Sequence, residues 1–213
     1  MEPSPTLADS ENDDFVQTLN DHWDSTQYVA LCGTFPQGFD PKMFDSLDFN
    51  GKQIFVDAID GIDGLLAKGV ELLKINMLEY CKLLEHLSIP QVKSSPQFWK
   101  MTATAVLERL PIKNLVVTDE DSPVRAFRLV EKKFQGIQLQ PPSVTVKNDI
   151  GAGDSFFAGW LYACDQGMSF ESCLAKATAV ACARCEVERP WNLSLDRVVE
   201  LENELATKVE RLE

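Results

Sequence analysis

Val144-Thr-Val-Lys-Asn-Asp-Ile-Gly-Ala-Gly-Asp-Ser-Phe-Phe-Ala-Gly-Trp-Leu-Tyr-Ala-Cys164 runs from an alternating, β-type segment through Gly151-Ala152-Gly153-Asp154 into an apolar helical pattern. A chain that turns this way leaves unpaired backbone N–H groups at a helix N-terminus, where partial positive charge favours a phosphate. Small residues let that phosphate come close to the backbone. Asp154 then stands at the mouth of the anion site. It would repel a resting phosphate, so taking a proton from an attacking hydroxyl is its natural task. Taken alone, the same stretch also reads as a plain helix capped by Gly-Asp after a strand.

The chain has 213 residues, enough for one sizeable α/β core or two small ones, with 45% hydrophobic and 25% charged residues. Its net charge of −13 argues against nucleic acid or an anionic membrane as the main partner. A phosphorylated small molecule, which responds to the local field, stays open. No apolar run is long enough to span a bilayer, and Met1-Glu-Pro-Ser-Pro lacks the basic and apolar regions of a signal peptide. A cytoplasmic location is the expectation. Six cysteines (Cys32, Cys81, Cys164, Cys173, Cys182 and Cys185) lie among apolar neighbours. Cys182-Ala-Arg-Cys185 has metal or redox spacing but no matching second pair, so buried reduced thiols are expected.

Met1 to about Asp14 is acidic and weakly patterned, which predicts a mobile segment ahead of one domain over 15–213. Phe15 to Trp23 has helical spacing, and Tyr28 to Gly33 reads as a buried strand ending in the Thr34–Gly38 loop. A helical segment follows Pro41. Gln53 to Asp57 and Glu71 to Ile75 are predicted strands, with a helix from Leu65 between them. Asn76 caps a helix running to His86, with Glu79 in its first turn. Gln97–Leu107 is helical, and Asn114–Thr118 is a strand leading into the acidic turn Asp119-Glu120-Asp121. Shorter β segments follow near Val124–Leu129 and Gly136–Gln140, then helices over Ala152–Cys164, Phe170–Cys185 and Ser194–Leu205. Strands alternating with helices imply a mostly parallel sheet covered on both faces, with ligands beyond the carboxyl ends of the strands. Thr34, Asp57, Asn76, Thr118 and Asp154 all fall just after predicted strands.

Together these residues resemble the ribokinase-like (PfkB) carbohydrate kinases, and within them the branch of 1-phosphofructokinase and tagatose-6-phosphate kinase. The family's Gly-Ser-Leu-Pro-x-Gly loop has its counterpart in Gly33-Thr-Phe-Pro-Gln-Gly38, and its Lys-Pro-Asn-x-x-Glu motif in Lys74-Ile-Asn-Met-Leu-Glu79. Val117-Thr118-Asp119-Glu120 is a weaker match to its Val-Thr-x-Gly nucleotide loop, and Gly151–Asp154 matches its Gly-Ala-Gly-Asp signature fully. The resemblance implies an αβα sandwich and ATP with Mg²⁺. It implies Asp154 as general base and Gly151, Ala152 and Gly153 as anion hole. Asn76 and Glu79 would organise the phosphates and Mg²⁺ through water. Thr118, Asp119 and Glu120 would line the nucleotide site, Thr178 would meet the purine, and Gly33, Thr34, Pro36 and Gly38 would form a substrate loop. Lys74 would hold a neighbouring loop.

Three departures from the family pattern bear on function. The family's first strands, its paired sugar-binding glycines and its β lid have no counterpart before Gly33, so a truncated, lidless form is expected. Glu120 stands where the family usually has glycine, which restricts the backbone and adds negative charge near the nucleotide. Asn148 and Asp149 stand where the family commonly has Asp and Thr, so Asn148 lacks the charge expected of a monovalent-cation ligand. The resemblance thus points to phosphorylation of a sugar or sugar phosphate. The alternative is a non-catalytic or split remnant that binds nucleotide or a partner protein without turnover. A homodimer or a complementary N-terminal fragment is the partner expected.

Overall fold

The strands carry apolar side chains at both odd and even positions, and a strand of that kind is stable only when both its faces are covered. In the computed structural model, which describes residues 6–33, 37–39, 44, 47–58 and 63–212, this is what the chain does. The elements are α1 (Asp9–Trp23), β1 (Tyr28–Cys32), β2 (Gln53–Asp57), α2 (Asp63–Lys68), β3 (Val70–Asn76), α3 (Met77–His86), α4 (Phe98–Arg109) and β4 (Ile112–Thr118). They continue with β5 (Val124–Val130), β6 (Lys133–Leu139), α5 (Ala152–Asp165), α6 (Phe170–Cys185), a 3₁₀ turn (Pro190–Asn192), α7 (Leu195–Leu205) and β7 (Glu210–Leu212).

The seven strands lie in one sheet in the order of the chain. β1 to β4 run parallel, and β5, β6 and β7 each pair antiparallel with the strand before. Five strands therefore point the same way. Ile54, Val56, Leu73, Ile75, Leu115 and Val117 face one core, shared with Trp23 of α1, Leu65 of α2, Leu84 of α3 and Val106 of α4. Their neighbours Phe55, Leu72 and Val116 face the other, with Trp160 of α5, Leu174 of α6 and Leu201 of α7. The result is the expected three-layer αβα sandwich, its mostly parallel sheet between two helical layers. No helix among the described residues is long and apolar enough to cross a membrane.

Several expectations need correction. Residues 144–147 are not a strand. They follow Pro141-Pro142, and the amides of Lys147 and Asn148 donate to the Cys185 carbonyl at 2.8 and 3.3 Å instead of to a neighbouring strand. Val144 packs on the second core while Val146 is exposed, so the alternation has no strand partner. The segment expected to be mobile is helical from Asp9, and the Leu7 amide donates to the Gln37 carbonyl at 2.7 Å. All six thiols are free, but Cys32 is exposed and only Cys173 and Cys182 are fully buried. β7 had no counterpart in the sequence reading, and the helix expected after Pro41 falls largely outside the described residues.

Helices α5 and α6 approach each other closely at Gly159. A Cβ there would lie 3.0 Å from the Ala177 Cα and 3.0 Å from a Val180 methyl carbon. Backbone and a β-branched side chain cannot swing aside. Overpacking of this kind costs about 1–3 kcal/mol and competes with about 1 kcal/mol of helix propensity gained on going from Gly to Ala. Gly159→Ala is expected to lower stability by roughly 1 kcal/mol net. A urea-unfolding midpoint that falls at unchanged m-value is the measurement that checks it.

Candidate active site

Parallel strands that start together end together, and their carboxyl ends here form one rim. Cys32 pairs with Asp57 and Asn76 with Thr118 at the last positions of their strands. Asn76 is both the end of β3 and the cap of α3. Its side-chain oxygen accepts from the Glu79 amide at 2.9 Å, while the Glu79 carboxylate accepts from the Asn76 amide at 2.8 Å. This reciprocal box satisfies two orphan amides and fixes both side chains. It leaves the second carboxylate oxygen of Glu79, on a half-buried side chain, uncommitted.

The register of β2 on β3 brings Asp57 opposite Lys74. The Lys74 ammonium donates to both Asp57 oxygens, at 2.8 and 3.0 Å, and Lys74 is buried. It also lies directly under the glycine turn, because a Cβ on Gly153 would sit 3.0 Å from Lys74 Nζ. A side chain at Gly153 would therefore press on that ammonium and its pair with Asp57. Burial pushes the Asp57 carboxyl up from the ordinary carboxylate range even though Lys74 pulls it down, and Glu79 and Asp154 push it further up. Cys32 belongs to the same field: burial, then Asp57 and Asp154, raise its thiol, against Lys74. Three carboxylates therefore share the rim with one buried ammonium. Among the described residues no three acidic, histidine or cysteine side chains gather closely enough to hold a metal ion directly, so a divalent cation here would be held through its own water and polyphosphate.

Gly151 opens α5 in the left-handed region, at φ 80°, as the N-cap. The first-turn amides of Ala152 onward and the exposed Asp154 follow it. The Ala152 amide donates back to the Asp149 carbonyl at 3.0 Å, closing the turn. Beside Gly151 lies Arg184 of α6: the Cβ that Gly151 lacks would be 3.8 Å from Arg184 Nε and 3.8 Å from an Asp154 oxygen. Amides at a helix start, over a buried ammonium and beside a buried guanidinium, make an electropositive cradle. A carboxylate stands at its lip.

The other expected residues divide. Thr118 ends β4 half-buried, and Asp119 opens a turn closed by the Ser122 amide on its carbonyl at 2.8 Å. Glu120, in that turn, has φ 48°, the region that favours glycine. Thr178 is not brought to the rim. It is 2% exposed, and its hydroxyl donates to the Leu174 carbonyl at 2.8 Å inside α6, so it offers a purine no surface. Gly33 continues the rim, its amide donating to the Asp57 carbonyl at 3.2 Å. Gly38 faces away from the rim's chemistry and packs on the N-terminal segment, where a Cβ would strike the Leu7 carbonyl at 2.6 Å. Thr34 and Pro36 lie outside the described residues. Two residues of the site had been given no role. Asp57 was expected at the carboxyl-end rim with Thr34, Asn76, Thr118 and Asp154, but without a partner or a task. Arg184 was signalled by a charge seven residues after Ala177, on a helix otherwise lined with small and apolar residues.

A model of the pfkB family carbohydrate kinases matches residues 5–194. Phosphofructokinase-2 from Escherichia coli, solved in complex with substrates and products, superposes with a TM-score of 0.79 at 20% identity, over 97% of this chain and 66% of that one. A putative phosphofructokinase from Staphylococcus aureus gives 0.68 at 16% identity, over 98% and 64%. Arabidopsis thaliana ribokinase complexed with ribose and ATP gives 0.63 at 23% identity, over 92% and 60%. The chain thus spans about two thirds or less of the length of these structures, and at such identities they establish its ribokinase-like fold. No curated protein sequence matches it. Matched by the family model over most of its length and folded as these kinases are, the chain belongs to the pfkB family of carbohydrate kinases.

Proposed function

We propose that the chain carries the phosphoryl-transfer half of an ATP-dependent kinase that phosphorylates an alcohol group of a sugar or sugar phosphate. A hexose phosphate, as in the 1-phosphofructokinase and tagatose-6-phosphate kinase branch, is the favoured acceptor. The observation that carries this reading is the turn at Gly151–Asp154: a left-handed glycine, a second glycine over the Lys74 ammonium, and a carboxylate in the first turn of α5. Mg·ATP, when bound, supplies the phosphoryl group and the divalent charge that offsets it. Asn76 and the free oxygen of Glu79 would hold the hydrated ion, and the loop from Thr118 to Glu120 would face the nucleotide.

In this mechanism Asp154 accepts the proton of the acceptor hydroxyl as that oxygen attacks. The amides of Gly151 and Gly153 donate to the transferring group where negative charge gathers, while the Ala152 amide, bonded to the Asp149 carbonyl, keeps the turn closed. Lys74, held by Asp57, keeps a fixed positive charge under the turn without leaving its buried partner. The work of the protein is positioning and preorganised charge, as phosphoryl transfer requires.

Titration calorimetry with Mg·ATP and a coupled ADP-release screen over hexoses and hexose phosphates test the reading. Asp154→Asn is expected to keep Mg·ATP binding and to lose roughly 10²- to 10⁴-fold in turnover, the usual share of a general base. Binding by both proteins with no turnover by either would select the non-catalytic alternative. Glu120→Gly is expected to tighten Mg·ATP binding and to raise stability. Relief of left-handed strain, about 1–3 kcal/mol, outweighs the extra chain entropy of glycine, about 0.4–1 kcal/mol. Calorimetry and thermal unfolding of that variant read both effects.

Cys32 offers a third check. Its raised thiol stays protonated to higher pH than an ordinary cysteine, so alkylation followed by mass spectrometry should give a rate that rises only above the normal thiol range. Mg·ATP is expected to slow that labelling. Cys182, which burial pushes up to about 12, should react far more slowly throughout.

A further inference from the structure

Arg184 is 2% exposed, yet among the described residues it has no carboxylate partner. A guanidinium cannot shed its charge on burial, so its surroundings must compensate it. Here the compensation comes from main-chain carbonyls. Nη1 donates to the Val187 carbonyl at 2.9 Å and to the Asn148 carbonyl at 3.3 Å, at the C-terminal end of α6, where the helix dipole also favours a cation. Oxygens of this kind are the ligands that an alkali cation takes in a dry site. The same junction is closed by Asn148, whose side-chain amide donates to the Glu188 carbonyl at 2.9 Å and whose side-chain oxygen accepts from the Ile150 amide at 3.0 Å. The Lys147 and Asn148 amides both reach the Cys185 carbonyl. The loop so fastened runs straight into Gly151.

We infer that Arg184 is a tethered monovalent cation. It binds the Asn148–Gly151 loop to the end of α6, holds the glycine turn in register and frees the site from any requirement for potassium or sodium in solution. Arg184 is a positioning residue, acting on the phosphoryl group through the turn that it fixes. The effect on ligand binding rests on the kinase reading above; the effect on the loop does not.

The test uses the wild-type chain, Arg184→Gln, which keeps a donor without the charge, and Arg184→Lys, which keeps the charge without the fork. Each is measured in choline chloride and in potassium chloride at equal ionic strength, by Mg·ATP calorimetry and by thermal unfolding. The wild type is expected to give the same affinity and the same midpoint in both salts. Arg184→Gln should bind Mg·ATP about tenfold more weakly in choline, the scale of one lost charged hydrogen bond, and recover with potassium or added guanidinium. Arg184→Lys should show no preference between the salts. A wild type that needs potassium, or a Gln variant whose loss is equal in both salts or absent, overturns the inference. Should Arg184→Gln fail to fold, a Lys variant that requires potassium overturns it just as well, and one indifferent to the salt supports it. Should the wild type bind no Mg·ATP, the kinase reading fails by itself. The unfolding midpoints then decide: potassium must raise that of the Gln variant and leave the wild type unmoved.

Discussion

A parallel strand buried on both faces has no room for a charge, and β3 carries one. Lys74 sits between Leu73 and Ile75, both fully buried, on the face that looks toward α5. Its ammonium survives there because Asp57, across the ladder, receives two hydrogen bonds from it. Breaking one member of such a pair leaves a charge stranded at a cost of about 3–5 kcal/mol, whereas an apolar pair would pack there without penalty. The pair is therefore poor as a device for stability. Its position gives it another sense: it puts a fixed positive charge under Gly153, at the one end of the sheet where four parallel strands finish side by side.

The turn above that charge is held from two directions. Lys74 lies below Gly153 and Arg184 lies beside Gly151, so Gly153 spares the ammonium a close contact while Gly151 supplies the left-handed backbone angle. Asp154, by contrast, is exposed and bonded to no neighbour in the described residues. A rigid cationic floor with a free carboxylate at its lip is the arrangement on which the proposed proton transfer rests.

The elements that could be read from the chain were those whose cause is local. Gln53–Asp57 is a strand because a run of apolar residues ends at an acid. Asn76–Glu79 starts a helix because those two side chains complete each other, and α6 begins after Ser169, whose hydroxyl accepts from the Ser172 amide. What escaped depended on partners far along the chain. Asp57 and Lys74 are 17 residues apart, and Arg184 meets a carbonyl 36 residues earlier. Neither pairing leaves a mark in a window of local sequence. Residues 144–147 erred in the opposite direction: their alternation is a good local signal for a strand, but a strand also needs a neighbour, and the amides there face the end of α6. Thr178 was expected at the purine from the family resemblance, and its burial within α6, with its hydroxyl turned back to the Leu174 carbonyl, is not visible in local sequence.

The order of strands in the sheet is the order of strands in the chain, and this bears on how the molecule is made. Each strand up to β6 docks on the one synthesised just before it, so the sheet can grow from the ribosome with little waiting and few long loops to close. β7 is the exception. Gln138 of β6 meets Glu210 of β7 across 72 residues, and α5, α6 and α7 lie between them in the chain. The edge of β6 stays open until the whole second helical layer has emerged. That interval, with an unpaired strand edge and half a core uncovered, is when the nascent chain most needs shelter from its neighbours.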